Sequence, residues 1–229
     1  MSGDFIRYPL LDKLYQQYLT DENSADFIQW VSRSYGIGSL ERLARNGQPC
    51  TRRAAVLALG FLGDYSVNET VGRALNDDDR GVRMLADHGI RSVWTRQGSQ
   101  AEQAKISQMF SWSAQNRNIE VIESATILIE TNPILAEAWN HRAIAFSAEG
   151  QYESAIEDCK ETLNCNRFHF PAAIGLAHCC LQLDDHCAAL DGFRLALRIN
   201  PDLEGVRQHV MHLETVSYTH LTLPTICSV

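Results

Sequence analysis

Residues 136–167 read AEAWNHRAIAFSAEGQYESAIEDCKETLNCNR, and residues 170–201 read FPAAIGLAHCCLQLDDHCAALDGFRLALRINP. Offset by 34, the two stretches place Trp139 on Ala173, Ala143 on Ala177, Ala155 on Ala189 and Ile156 on Leu190. Asn166 falls on Asn200, and Asn132 lies one interval earlier; Ile129, Leu163 and Leu197 each stand three residues before these asparagines. Self-similarity at such an interval marks a stacked array, because one unit cannot bury its own apolar face. Within a unit the period is helical: Ala155, Ile156, Cys159, Thr162 and Leu163 keep the i, i+3, i+4, i+7 spacing. Gly150 stands where a chain leaving a helix turns through positive φ. Ala155 and Ala189 are small enough for two helices to approach closely, and a larger side chain there overpacks.

Upstream, about 102–135, the unit is degenerate: Met109 and Val121 occupy small-residue positions, while Asn116 and Pro133 fit. Downstream, Val206, Val210 and Leu213 within Gly205–Glu214 have helical spacing and predict a capping helix. The interval, with Trp139, Ala143, Phe146, Gly150, Tyr152, Ala155 and Thr162, then Ala177, Ala189, Phe193, Ala196 and Pro201, resembles the tetratricopeptide repeat. That resemblance implies antiparallel helix pairs whose first helices face a concave groove. It carries the groove positions onto Phe110, Ser113 and Ala114, onto Asn140, Ile144 and Ser147, and onto Ile174, His178 and Gln182. Asn140 offers both a donor and an acceptor to a bound backbone, and His178 and Gln182 lie one turn apart. The groove lacks the Lys/Arg set with which family members clamp a carboxylate terminus, so a carboxylate-clamp cochaperone is disfavoured.

The first half repeats differently. TRRAAVLALGFLGD (Thr51–Asp64) and GVRMLADHGIRSVW (Gly81–Trp94) align at an offset of 30, with Arg53 on Arg83 and Val56 on Ala86. Each follows a helix and a polar turn, Leu40–Asn46 then Gly47–Pro49, and Val67–Asn76 then Asp77–Asp79; Ser24–Val31 begins an earlier, irregular unit. This resembles the short HEAT-like repeats also found in the phycobilin-lyase group. Asp64 and Asp79 suit N-caps. Arg52, Arg53 and Arg83 form a candidate arginine ladder, with Asp77 and Asp79 as carboxylate partners; the other reading is an anion-contacting strip. GSQAEQ (Gly98–Gln103) reads as the linker.

Charge is uneven. Lys and Arg number 12 against 12 Asp and Glu from Met1 to Gln97, and 8 against 16 from Gly98 onward. An acidic balance argues against a nucleic-acid binder, which needs a basic face, and leaves room for a basic partner. No apolar run approaches membrane-span length and the first residues lack a signal-peptide core, so a cytoplasmic protein is expected. The seven cysteines show no CxxC pair, and disulfides are not needed at this length; Cys159 and Cys180 are expected as small buried hydrophobes. His178, Cys179, Cys180, His186 and Cys187 invite a metal reading, but they fall on different faces of two short helices, and no metal or cofactor is expected. His209 and His212 are surface residues, and His88, in an apolar helix, is expected in the core or groove. No phosphate loop, nucleophile elbow or H-E-x-x-H helix occurs. The segment VSYTHLTLPT (Val216–Thr225) back-translates codon for codon into a transposase-type library adapter, so 216–229 is expected to be a non-native tail.

The expected protein is an all-α solenoid. Its layout is 1–97 for a helical lead and HEAT-like repeats, then 98–215 for three tetratricopeptide repeats (about 102–135, 136–169 and 170–203) and a capping helix. It resembles bacterial HEAT/tetratricopeptide scaffolds: non-catalytic, binding a protein or peptide segment. The alternatives are a bilin-lyase-like chromophore protein acting through the first half, and a nucleic-acid binder using Arg52, Arg53 and Arg83.

Overall fold

The structure is a computed structural model and describes residues 9–220, with side chains through Thr215. Among the described residues there are thirteen α-helices, one 3-10 turn and no strand, so the all-α expectation of consecutive hairpins holds. The chain divides into two compact units, Met1–Arg96 and Gln97–Val229.

The first unit contains α1 (Leu10–Asp21), α2 (Ser24–Ser34), α3 (Ile37–Asn46), α4 (Pro49–Leu62), α5 (Asn68–Ala74) and α6 (Arg80–Trp94). Three of these helix starts have a local side-chain cause. Asn23 Oδ1 accepts the Asp26 N–H at 3.1 Å to cap α2, and Asp79 Oδ1 accepts the Val82 N–H at 3.0 Å to cap α6. Pro49 occupies the first turn of α4, where its missing N–H costs nothing. Asp64 accepts the Ser66 N–H at 2.9 Å, capping the 3-10 turn Tyr65–Val67. α3 pairs with α4 and α5 with α6; α4 then packs on α6 and α3 on α5, while α1 and α2 rest on α4. The contact faces are apolar, with Ala54, Ala55, Ala58 and Leu59 on α4 and Val82, Ala86, Ile90 and Val93 on α6 all fully buried.

Where α4 and α6 cross, glycine meets glycine: a Cβ built on Gly60 would lie 2.9 Å from the Gly89 Cα. The backbones touch there, closer than any side chain permits. The carbonyls left open at the end of α4 are closed by Arg96, which donates to the Gly60 oxygen at 2.8 Å and to that of Gly63. His88, one residue before Gly89, is exposed, which rules out the core placement of the two expected of it. The helix turns its crossing face through Gly89 and Ile90, which leaves position 88 outside.

The second unit contains α7 (Gln100–Ala114), α8 (Asn118–Thr131), α9 (Ala136–Ala148), α10 (Tyr152–Cys165), α11 (Phe170–Gln182), α12 (His186–Ile199) and α13 (Glu204–His220). Each helix packs on the next, and α9 also touches α7 and α11, so the first helices of successive hairpins are neighbours. Gly98–Gln103 is not the linker expected of it: α7 already begins at Gln100. The reason is a capping box in which Ser99 and Glu102 satisfy each other's backbone N–H groups, at 2.7 and 3.4 Å. Of the suspected tail, residues 216–220 continue α13 in backbone, and 221–229 lie outside the described residues. Cys50, Cys159, Cys165, Cys179 and Cys180 are free thiols, with Cys159 and Cys180 buried as expected.

The 34-residue interval is written into the backbone. Asn116 (φ 58), Gly150 (φ 74) and Asp184 (φ 57) are left-handed and end α7, α9 and α11. After each, the next N–H reaches back over a full turn: Arg117 to the Trp112 oxygen (3.0 Å), Gln151 to Phe146 (2.9 Å) and Asp185 to Cys180 (2.9 Å). The left-handed residues donate to Ser113, Ser147 and Leu181 at 3.1, 3.1 and 3.2 Å, completing three matching Schellman caps. The expectation of positive φ at Gly150 is met. Asp184 pays a steric penalty that glycine does not, and no side-chain contact anchors it. Asp184→Gly is therefore expected to raise stability by about 0.5–1 kcal/mol, after allowing for glycine's larger unfolded-state entropy. Chemical denaturation checks this; a loss of stability would show that the aspartate side chain stabilises the cap.

Ala155 and Ala189 are fully buried, as are Ala177 and Phe193. A Cβ on Gly192 would lie 2.9 Å from the Ala177 Cβ, so α11 and α12 also approach through small residues.

Candidate functional site

Phe110 on α7 and Ile144 on α9 are 70% and 50% exposed, large apolar side chains left outside the core of the second unit. The Phe110 ring meets the His141 ring edge-on, with centroids 6.4 Å apart, so these faces of α7 and α9 adjoin. Asn140 and Ser147 are half-buried, and the Asn140 Nδ2 lies 3.5 Å from Glu137 Oε2. Ser113 Oγ, one turn beyond Phe110, is buried without a hydrogen-bond partner. Ala114 is exposed and Ile174 half-buried.

On α11, His178 and Gln182 are exposed. His178 is nonetheless engaged: its ring stands edge-on to Phe193 at 5.1 Å and to His209 of α13 at 5.3 Å, while His209 stacks on Phe193 at 5.0 Å. His209 is thus a packing residue as well as an exposed one. Partial burial and the neighbouring His209 lower the His178 pKa.

Sequence reasoning missed the group beneath Phe110. Glu137, His141 and His169 are all buried. His169 Nδ1 accepts the Ala172 N–H at 3.1 Å, capping α11, so its proton sits on Nε2, which lies 3.3 Å from Glu137 Oε1. His141 Nε2 lies 3.8 Å from the other carboxylate oxygen, Oε2, and its Nδ1 is buried with no partner. Burial pushes the Glu137 pKa up, but the His169 hydrogen bond and the adjacent imidazoles outweigh it and bring it below the usual glutamate range. Burial also lowers the His141 pKa, keeping that ring neutral at pH 7. Because His169 Nε2 carries a proton toward the carboxylate, it has no lone pair to offer a metal. Among the described residues no set of three or more His, Cys, Asp or Glu side chains is arranged to hold a metal ion. In particular, Cys179 and Cys180 are buried while His178 and His186 are exposed.

A second buried polar group lies beside it. Arg142 makes a two-pronged pair with Asp158, at 2.7 and 2.9 Å, and donates to Thr126 Oγ1 at 3.0 Å, tying α8, α9 and α10 together. Its guanidinium lies 5.0 Å from the Trp139 ring centroid and 5.6 Å from that of Phe146.

In the first unit the arginine ladder differs in its rungs. Arg53 pairs with Asp79 through two 2.7 Å bonds, and Arg52 pairs with Asp77 at 2.8 and 2.6 Å. Arg83 instead donates to the main-chain oxygens of Asp77 (2.9 Å) and Asp78 (3.3 Å). The Arg53 hydrogen bond holds the Asp79 carboxyl down to about 2. The Arg52 and Arg53 charges are thus matched within the fold, which weakens the anion-strip reading.

No family model matches the chain. Similar solved structures include the TPR2AB domain of yeast Sti1 in its pHSP90 complex, at 12% identity and a TM-score of 0.43, covering 89% of this chain and 97% of that one. Another is YrrB, described as a TPR protein with an unusual peptide-binding site, at 12% identity and a TM-score of 0.44, covering 90% and 99%. Among the described residues no helix is long and apolar enough to cross a membrane.

Proposed function

We propose that the chain is a non-catalytic interaction scaffold. The hairpins α3/α4 and α5/α6 are HEAT-like units, and α7/α8, α9/α10 and α11/α12 are tetratricopeptide units capped by α13. A protein or peptide segment binds across α7, α9 and α11, at Phe110, Asn140, Ile144, Ser147, His178 and Gln182. The observation that carries this is the pair Phe110 and Ile144: two large apolar side chains stand exposed on adjoining helices beside half-buried polar groups. Apolar surface rimmed by polar groups is what a recognition face requires. The acidic excess of the second half favours a basic segment. The bilin-lyase alternative rests on the HEAT resemblance alone.

Selection of a displayed random-peptide library against the full chain tests the reading. The recovered peptides are expected to lose about tenfold or more in affinity to a Phe110→Ala/Asn140→Ala/Ile144→Ala variant. They are expected to bind an Ile127→Ala control, altered on α8, as they bind the parent. Equal binding to the triple variant would move the site elsewhere.

A further inference from the structure

Glu137 presents an unusual charge balance. Its polar partners are His169, His141 and Asn140, with no Lys or Arg among them, although the residue is only 8% exposed. A buried carboxylate without a full positive partner is costly. Next to it, the His141 ring holds a buried nitrogen, Nδ1, that bonds to nothing, and an unmade hydrogen bond on a buried polar atom is itself costly. Edge-on to that ring stands Phe110, mostly in solvent. Because Nε2 is the nitrogen that faces the Glu137 carboxylate, the neutral ring carries its proton there and leaves Nδ1 as an acceptor, so a negative charge, an unpartnered acceptor and an apolar platform coincide at one corner of α7 and α9.

We propose that this corner receives the ammonium head of a lysine side chain from the bound segment. On binding, Phe110 changes rotamer and uncovers the buried His141 Nδ1; the lysine stem then lies along the Phe110 ring, and the head donates to Nδ1 beside the Glu137 carboxylate. This rests on the groove reading above and adds the identity of an anchoring side chain. The chemistry favours lysine over arginine. The corner offers one ring nitrogen and a carboxylate already committed on one oxygen to His169, which suits a compact point charge. It lacks the pair of in-plane acceptors that a guanidinium fork needs. A neutral side chain would leave the Glu137 charge without a counterpart. His141 must be neutral to accept the bond, and its burial keeps it so.

The test uses the full chain labelled with 15N at histidine, and two small probes. Nα-acetyl-lysine N-methylamide is expected to shift the His141 Nδ1 resonance saturably in the millimolar range, and Nα-acetyl-norleucine N-methylamide, with a similar stem and no ammonium, to leave it in place. Glu137→Gln is expected to weaken the lysine probe about tenfold. Because that change also touches the His169 bond, Phe110→Ala supplies a second arm on an exposed residue and is expected to weaken the probe severalfold. Three outcomes would each overturn the assignment: no saturable shift up to about 50 mM lysine probe, an equal shift with the norleucine probe, or unchanged affinity in both variants. Library peptides that need Phe110, Asn140 and Ile144 but contain no lysine would preserve the groove and reject the lysine anchor.

Discussion

Replacing Arg142 by methionine is expected to cost the second unit about 3–5 kcal/mol, the range for breaking a buried ion pair from one side. Methionine fills much of the space between Trp139 and Phe146, so the loss is not mainly one of packing. It comes from Asp158, whose side chain is 5% exposed and loses both of its short bonds at once. Burial already pushes the Asp158 pKa up against the pull of Arg142; without Arg142 the carboxyl must either take up a proton or remain charged in an apolar setting. Thr126 loses its link as well, so α8, α9 and α10 loosen together. Hydrogen exchange of α9 and α10 amides reads this locally, without assuming that the two units unfold as one. The double variant Arg142→Met/Asp158→Leu is expected to recover most of the loss. A single variant within about 1 kcal/mol of the parent would mean that the pair is weakly coupled to the fold.

Gly60→Val is expected to destabilise the first unit by about 3 kcal/mol or more, at or above the usual upper range for overpacking. The obstacle is backbone: the first added carbon already lies 2.9 Å from the Gly89 Cα, which cannot rotate aside. α4 and α6 must separate along a face that buries Ala54, Ala58, Val82, Ala86 and Ile90. Gly38, inside α3, makes the comparison specific, because nothing lies within 4 Å of a Cβ built there. Gly38→Ala is expected to be neutral or to stabilise by up to about 1 kcal/mol through helix propensity alone. Denaturation followed by fluorescence of Trp94, buried on α6, separates the two results. A tolerated valine at position 60 would show that the crossing can open without loss.

The helical hairpins were legible because periodicity and turn chemistry are local. Asn132, Asn166 and Asn200 each end a helix, and Gly150 adopts the positive φ expected of it. The degenerate first unit keeps the same cap through Asn116, since the cap depends on one left-handed residue and not on the core positions that diverge. The Ser99–Glu102 capping box was passed over in favour of a linker, although S-x-x-E before a helix outweighs the loop-like composition of GSQAEQ. The buried polar groups were not legible, because their partners are remote in sequence. Arg142 and Asp158 are 16 residues apart, and Glu137 and His169 are 32 apart. One signal was present: Asp158 lies three residues after Ala155 and one before Cys159, on the stripe that helical spacing assigns to the core. A carboxylate on that stripe requires a cation from another helix. His178 is exposed on α11, but its edge-on contact with His209 depends on how α13 docks, which no local pattern encodes.

The three matching bends that close α7, α9 and α11 also bear on how such a chain can grow. The reversal at each joint is made by the same pair of main-chain bonds, so it asks for one left-handed residue and little else of the local sequence. Cassettes cut between equivalent asparagines share interchangeable ends, and duplication or loss of one cassette leaves the seams alike. What must be matched afresh after such a splice is the side-chain wiring that crosses between cassettes, above all Arg142 with Thr126 and Glu137 with His169.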